Sequence, residues 1–371
     1  MAVSIDITGL PDERVVFAPS PLAELGAALH VLAEPGHHPG LHGWATATAS
    51  GLDPALADRL HQAEFLWRST RADILLPPQP GATLEEELDR LDELDDERFV
   101  ASALEISCGG SYSQGSPSPL VDGTQRRLAI ERATARGPRQ AQFAVRLMDE
   151  PGTVRKWIRR LLEDCEQAFF RDLWQRTRVQ LAADARHKTE LLQHKGLAEA
   201  LSSASAALSV EEPLPDDPRR RVVVDKLTQG RTTAVDPALP GGPGLTFLPT
   251  ALGWPHLLAL YAPGWRPVVT YPVVGAELPQ PVELDLMRRR MEALSHPQRM
   301  RLCLSLARAP YTTGELANTF GLTAPEVSRH LKVMKEAGLV TTRRRGRYVQ
   351  HRLDLTSVAR LGSDFLETVL R

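Results

Sequence analysis

The residues with the clearest chemistry stand near the C-terminal end. Arg343-Arg344-Arg345-Gly346-Arg347 sets four guanidinium groups around one glycine, and Tyr348 follows. A short way upstream come Thr323, Pro325, Ser328, Arg329, His330 and Lys332. Guanidinium and ammonium groups bind phosphate, and arginine also reads the guanine edge with two parallel hydrogen bonds. Arg329 fits either guanine O6 and N7 or a phosphate, and the sequence leaves both open. The arginine tip suits phosphates or a minor groove. Together these residues make double-stranded DNA the expected partner.

The charge distribution agrees. The whole chain carries a formal charge of −2, but residues 285–371 hold 16 basic and 8 acidic side chains. The remainder holds 28 basic against 38 acidic. A basic segment on an acidic body is the pattern of a chain that meets a polyanion.

These side chains need elements to position them, and the local signals supply them. Apolar periodicity over Leu286, Met287, Met291 and Leu294 pauses at Ser295-His296-Pro297, and a second helix then runs to just before Pro310. Thr312 with Glu315, and Thr323 with Glu326, are capping boxes for two short helices, the first closed by Gly321 and the second by Gly338. Leu316 and Phe320 face one way on the first; Val327, Leu331 and Met334 form the buried stripe of the second. Leu322 fills the turn between them. The spacing predicts a helix-turn-helix with a recognition helix over about 324–337. Residues 339–353 read as a hairpin, a wing with the arginines at its tip.

With those residues placed, Leu294-Ser295-His296-Pro297-Gln298-Arg299, Thr313-Gly314-Glu315-Leu316-Ala317 and the run from Glu326-Val327-Ser328-Arg329-His330-Leu331-Lys332 to Val340 closely resemble the ArsR-type winged helix-turn-helix family. The likeness covers about 85 residues. It implies a homodimeric transcription regulator, more often a repressor, released from DNA by an effector. It also implies pairing through the helices near 284–294 and 356–371, the latter with Val358, Leu361, Phe365, Leu366 and Val369 as its apolar stripe. Metal-sensing members carry paired cysteines where this chain has Tyr311-Thr312-Thr313-Gly314, or Asp and His on the last helix, where it has Asp364 and Glu367 but no histidine. Metal sensing at those positions is not expected.

The body before the linker reads as α+β and mostly helical. Strand-like alternation around Val3, Ile5, Ile7, Val15 and Phe17 precedes helices from Pro21, over 52–67, from Thr83, and from Gly152 to about Ser203. In the last of these, Trp157, Leu161, Leu162, Phe169, Leu173 and Trp174 mark the apolar stripe, and Arg155, Arg159, Arg160 and Glu163 the wet side. Short β-like runs at 221–225, 244–248 and 267–271 predict a small sheet. The divisions expected are a body at 1–275, a linker at 276–283 and the winged helix-turn-helix at 284–371. Ser20-Pro21-Leu22, the 39–44 loop and Gly253-Trp254-Pro255 through Pro263-Gly264-Trp265-Arg266-Pro267 are similar to an uncharacterised region that precedes this domain in many actinobacterial regulators.

Other chemistry is thinner. His37, His38 and His42 offer imidazoles, but a loop cluster without Cys or Asp beside it reads as solvated, so no metal and no cofactor is expected. Cys108-Gly109-Gly110-Ser111 lacks an assignable base, and no enzyme activity is expected. Three cysteines are too few for a disulfide framework, and Cys303, in an apolar-rich helix, should be buried. Residues 1–17 show no secretory leader and no run is apolar enough to span a membrane, so a cytoplasmic protein is expected. Trp254, Tyr261, Trp265 and Tyr271 suggest either core packing or the wall of a pocket for a small organic effector. The alternatives for the body are a protein partner, a mere extension of the dimer, or a fused enzyme.

Overall fold

The protein is described from a computed structural model. It describes residues 2–68, 71–108, 118–225, 229–239, 241–254, 256–262, 264–273, 283–345 and 348–369. The chain divides into two compact units, Met1–Leu278 and Pro279–Arg371.

The first unit opens with strands β1 (Ala2–Asp6) and β2 (Val15–Phe17) and helix α1 (Pro21–Ala33). Helices α2 (His42–Gly51), α3 (Pro54–Ala63), α4 (Leu84–Asp92), α5 (Asp96–Cys108), α6 (Gly123–Arg136) and α7 (Pro138–Asp149) follow. Next come α8 (Pro151–Cys165), a π turn, α9 (Arg171–Lys195) and α10 (Leu197–Ala204). The unit closes with β3 (Leu208–Glu211), β4 (Arg221–Asp225), β5 (Gly230–Thr233), β6 (Leu245–Thr250), β7 (Leu258–Leu260) and β8 (Val268–Pro272).

The predicted small sheet is two four-stranded sheets, ordered β3-β4-β1-β5 and β2-β6-β8-β7. The first two strands do not pair with each other. Val3 of β1 sits opposite Val224 of β4, and Phe17 of β2 opposite Phe247 of β6. Val222 and Val224 alternate inward on β4, as the period of a half-buried strand requires. Helix α1 is apolar around most of its girth and is buried from Pro21 to Val31. Ser20 caps it, accepting from Ala23 N at 3.0 Å, and Glu87 of α4 accepts from Ser20 Oγ and Leu22 N.

Arg155 departs from its predicted place. It is buried rather than wet, because its guanidinium donates to the carbonyls of Asp92 and Leu94 and pairs with Asp96 at 2.7 Å. The 108–124 loop and the linker over 276–283 fall largely outside the described residues, as do the side chains around Cys108. No described helix is long and apolar enough to cross a membrane.

The second unit contains α11 (Leu284–Ser295), α12 (Pro297–Leu306), β9 (Tyr311–Thr312), α13 (Thr313–Phe320) and α14 (Ala324–Glu336). The chain then forms β10 (Val340–Arg345), β11 (Tyr348–Leu353), α15 (Leu355–Ala359) and α16 (Leu361–Val369). Its core gathers Leu302, Leu306, Leu316, Val327, Leu331 and Met334 with Val340 and Leu353 of the hairpin. Cys303 is half-buried at the edge of this core, not within it, because its turn of α12 also carries exposed Leu304.

Candidate nucleic-acid interface

The two short helices are fixed by the predicted caps. Glu315 accepts from Thr312 N at 2.7 Å, and Glu326 accepts from Thr323 N at 2.8 Å. Those hydrogen bonds hold both carboxyls below their usual range. Gly321 takes the left-handed conformation at φ 64°, and Leu322 N donates to Ala317 O at 3.0 Å. Leu322 packs against the core, which locks the turn.

With Val327, Leu331 and Met334 turned inward, the opposite face of α14 is left to solvent. Thr323, Pro325, Ser328, Arg329 and Lys332 are all exposed there. His330 differs: it is half-buried, and its ring centroid lies 4.9 Å from that of His296. Burial, then the neighbouring His296, lowers its pKa. Lys332 reaches Glu336 at 3.9 Å, a loose surface pair.

The hairpin is antiparallel, with Arg343 opposite Gln350, Arg344 opposite Val349 and Arg345 opposite Tyr348. Arg343 and Arg344 are exposed. Arg347 and the side chains of Arg345 and Tyr348 lie outside the described residues. Sequence reasoning missed β9. It pairs with β11, Tyr311 opposite His351 and Thr312 opposite Gln350, and so ties the wing to the start of α13. The β-character of Tyr311-Thr312 beside the capping box was the available signal.

The four aromatic candidates do not share one wall. Tyr271 is fully buried beside Phe17 and Phe247 and donates to Asp184 Oδ2 at 2.6 Å. Tyr261 packs against that same core. Trp265 belongs to another core, with Leu76, Leu248 and Val268, and helps line a cavity of about 270 Å³ with Leu22, Ile74, Pro77 and Leu91. Trp254 is half-buried, and its carbonyl accepts from His38.

The loop histidines separate too. His42 is exposed on α2, but His38 is only 1% exposed, so the solvated reading fails for it. His30 and His256, which no sequence pattern singled out, stand beside His38. Burial, then the Arg71 charge, pushes the His30 pKa down to about 2. Burial pushes that of His38 down to about 4. Both rings are neutral near pH 7.

Comparison with known proteins separates the two parts of the chain. Residues 294–343 match a helix-turn-helix domain. The biofilm growth-associated repressor of Agrobacterium fabrum is 37% identical over 71 residues, 19% of this chain and 61% of that protein. The chain thus spans about three fifths of the length of the biofilm growth-associated repressors it matches. The HTH-type transcriptional repressor SmtB of Mycobacterium tuberculosis is 37% identical over 95 residues, 23% of this chain and 70% of that protein. Among solved structures, the homodimeric winged helix-turn-helix domain Mb0332 of Mycobacterium bovis, described as a possible ArsR-family regulator, is 30% identical. That match covers 22% of this chain and 74% of that one, with a TM-score of 0.20. Residues 1–277 match a family described only as of unknown function. The chain therefore belongs to the Family of unknown function (DUF5937), and its C-terminal unit is a winged helix-turn-helix of the ArsR type.

Proposed function

We propose that this chain is a cytoplasmic, homodimeric transcription repressor that reads an inverted repeat in double-stranded DNA. The carrying observation is the exposed face of α14, with Ser328, Arg329 and Lys332, next to a hairpin that presents Arg343 and Arg344. An amphipathic helix fits the major groove, and a basic hairpin beside it fits the flanking backbone. Thr323, Pro325, His330, Arg345, Arg347 and Tyr348 complete the proposed contact set. Matched regions in proteins named as repressors support the direction of regulation.

Pairing through α11 and α16 suits the apolar side chains left in solvent there: Leu284 and Met291 on one, Phe365, Leu366 and Val369 on the other. A dimer of this kind sets its recognition helices about 34 Å apart, one turn of DNA. The N-terminal unit is the proposed receiver of a small organic effector, for which the cavity beside Trp265 offers room.

Selection of bound duplexes from a random pool tests the reading. A palindromic consensus with half-sites one helical turn apart is expected. Failure to retain any duplex at low salt overturns it.

A further inference from the structure

We propose that His30, His38 and His256 form a binding site for a divalent transition metal of the zinc class inside the N-terminal unit. The inference does not depend on DNA binding.

The three residues arrive from distant places. His30 lies in the last turn of α1, His38 follows the next short 3-10 turn, and His256 sits in the loop after β6. One ring nitrogen from each falls within 4.8 Å of the others. His30 Nε2 and His256 Nε2 are 3.1 Å apart. Two nitrogens each 2.0–2.1 Å from a tetrahedral zinc ion are separated by about 3.3 Å. The three ring centroids lie 4.9, 5.1 and 5.2 Å apart with steep interplanar angles, so the imidazoles converge as blades around one point.

The far side of each buried ring is already held. His30 Nδ1 donates to Trp67 O at 2.7 Å, and His38 Nδ1 donates to Trp254 O. Backbone carbonyls on Nδ1 fix the tautomer that leaves Nε2 as a lone pair, which is the usual support of a metal-bound histidine. His38 Nε2 is buried and has no hydrogen-bond partner. An orphaned buried acceptor is costly, and a metal would satisfy it. His37 stands next to the trio, 5.5 Å from His30 and 5.7 Å from His256 between centroids, and its buried Nδ1 also lacks a partner. It lies outside the group of converging nitrogens, which is made by His30, His38 and His256.

Buried Arg71 opposes a cation here, and buried Glu24, which attracts it, offsets part of that opposition. The donor set is nitrogen only, so Zn2+, Co2+ or Ni2+ fits and Mg2+ or Ca2+ does not.

The test uses the full chain, with any affinity tag removed and metal stripped by chelation. Titration with Co2+ should give the visible absorption of a tetrahedral nitrogen site at one ion per chain. Zn2+ should raise the melting temperature where Mg2+ does not. His256→Gln, at a half-buried position, should weaken Zn2+ binding by at least about tenfold. His42→Gln, at an exposed position, should leave it unchanged. Equal Zn2+ affinity in wild type and His256→Gln overturns the proposal. So does a wild-type chain that shows neither the Co2+ spectrum nor the Zn2+ shift, a readout that holds even if the variant folds poorly.

Discussion

Arg290 of α11 donates to Asp364 of α16 at 2.7 Å, and both side chains are almost wholly buried, at 8% and 6% exposure. Arg360 adds a second contact to the same carboxylate at 3.2 Å. The pair ties together the first and last long helices of the unit. It also commits the Asp364 carboxylate to two guanidinium partners. Removing one partner of a buried pair strands the other. Asp364→Ala should therefore destabilise the C-terminal unit by about 3–5 kcal/mol. Chemical denaturation of the full chain would show it as an earlier loss of that unit.

Arg329 is exposed on the open face of α14, away from the core. If it reads a base pair, Arg329→Ala should lose about 1–3 kcal/mol on the preferred duplex and little on random DNA. Fluorescence anisotropy on the two duplexes distinguishes this from a phosphate contact, whose loss would weaken both alike.

Arg343 and Arg344 differ in the expected readout. A residue that neutralises a phosphate releases counterions, so each alanine replacement should flatten the slope of log affinity against log salt by about 0.9. Binding isotherms at several salt concentrations measure it. An unchanged slope in the double variant removes the wing from the interface.

Glu87 gives a pH prediction. Burial pushes its pKa from 4.5 up to about 7, although Gly81 N, Leu22 N and Ser20 Oγ all donate to it. A carboxyl whose folded pKa is raised holds its proton longer in the folded state. Its contribution to stability is whole below pH 4.5 and is lost as the pH rises to about 7. Ser20→Ala removes the helix cap at any pH, about 1 kcal/mol. It also removes a donor to the ionised carboxylate. The variant should lose more stability relative to wild type at pH 8 than at pH 5, by about 1 kcal/mol. Thermal melts at the two values check the difference.

What was legible in the sequence was what is local. The capping boxes at Thr312 and Thr323 span four residues each, and the stripe Val327, Leu331, Met334 repeats within one helix, so α13, α14 and the hairpin could be read without the fold. The acidic helix start was half legible. Thr83 starts the helix as expected, accepting from Glu86 N at 3.2 Å, while the Glu86 carboxylate accepts from Ala82 N rather than from Thr83 N. Distant partnerships were not legible. Periodicity put Arg155 in water because it cannot see the carbonyls of Asp92 and Leu94 waiting across the helix layer. The trio His30, His38 and His256 escaped for the same reason. One member sits in an apolar helix, one in a loop and one more than two hundred residues away, so no spacing rule links them.

The order in which the strands pair bears on how the chain is made. Val3 and Phe17 leave the ribosome before the helices of the body, yet their neighbours, Val224 and Phe247, emerge only after every long helix of it. Closing such distant pairs is slow, and until then two apolar segments stay bare. A nascent chain that ends at α10 holds β1 and β2 without the strands that flank them in the two sheets.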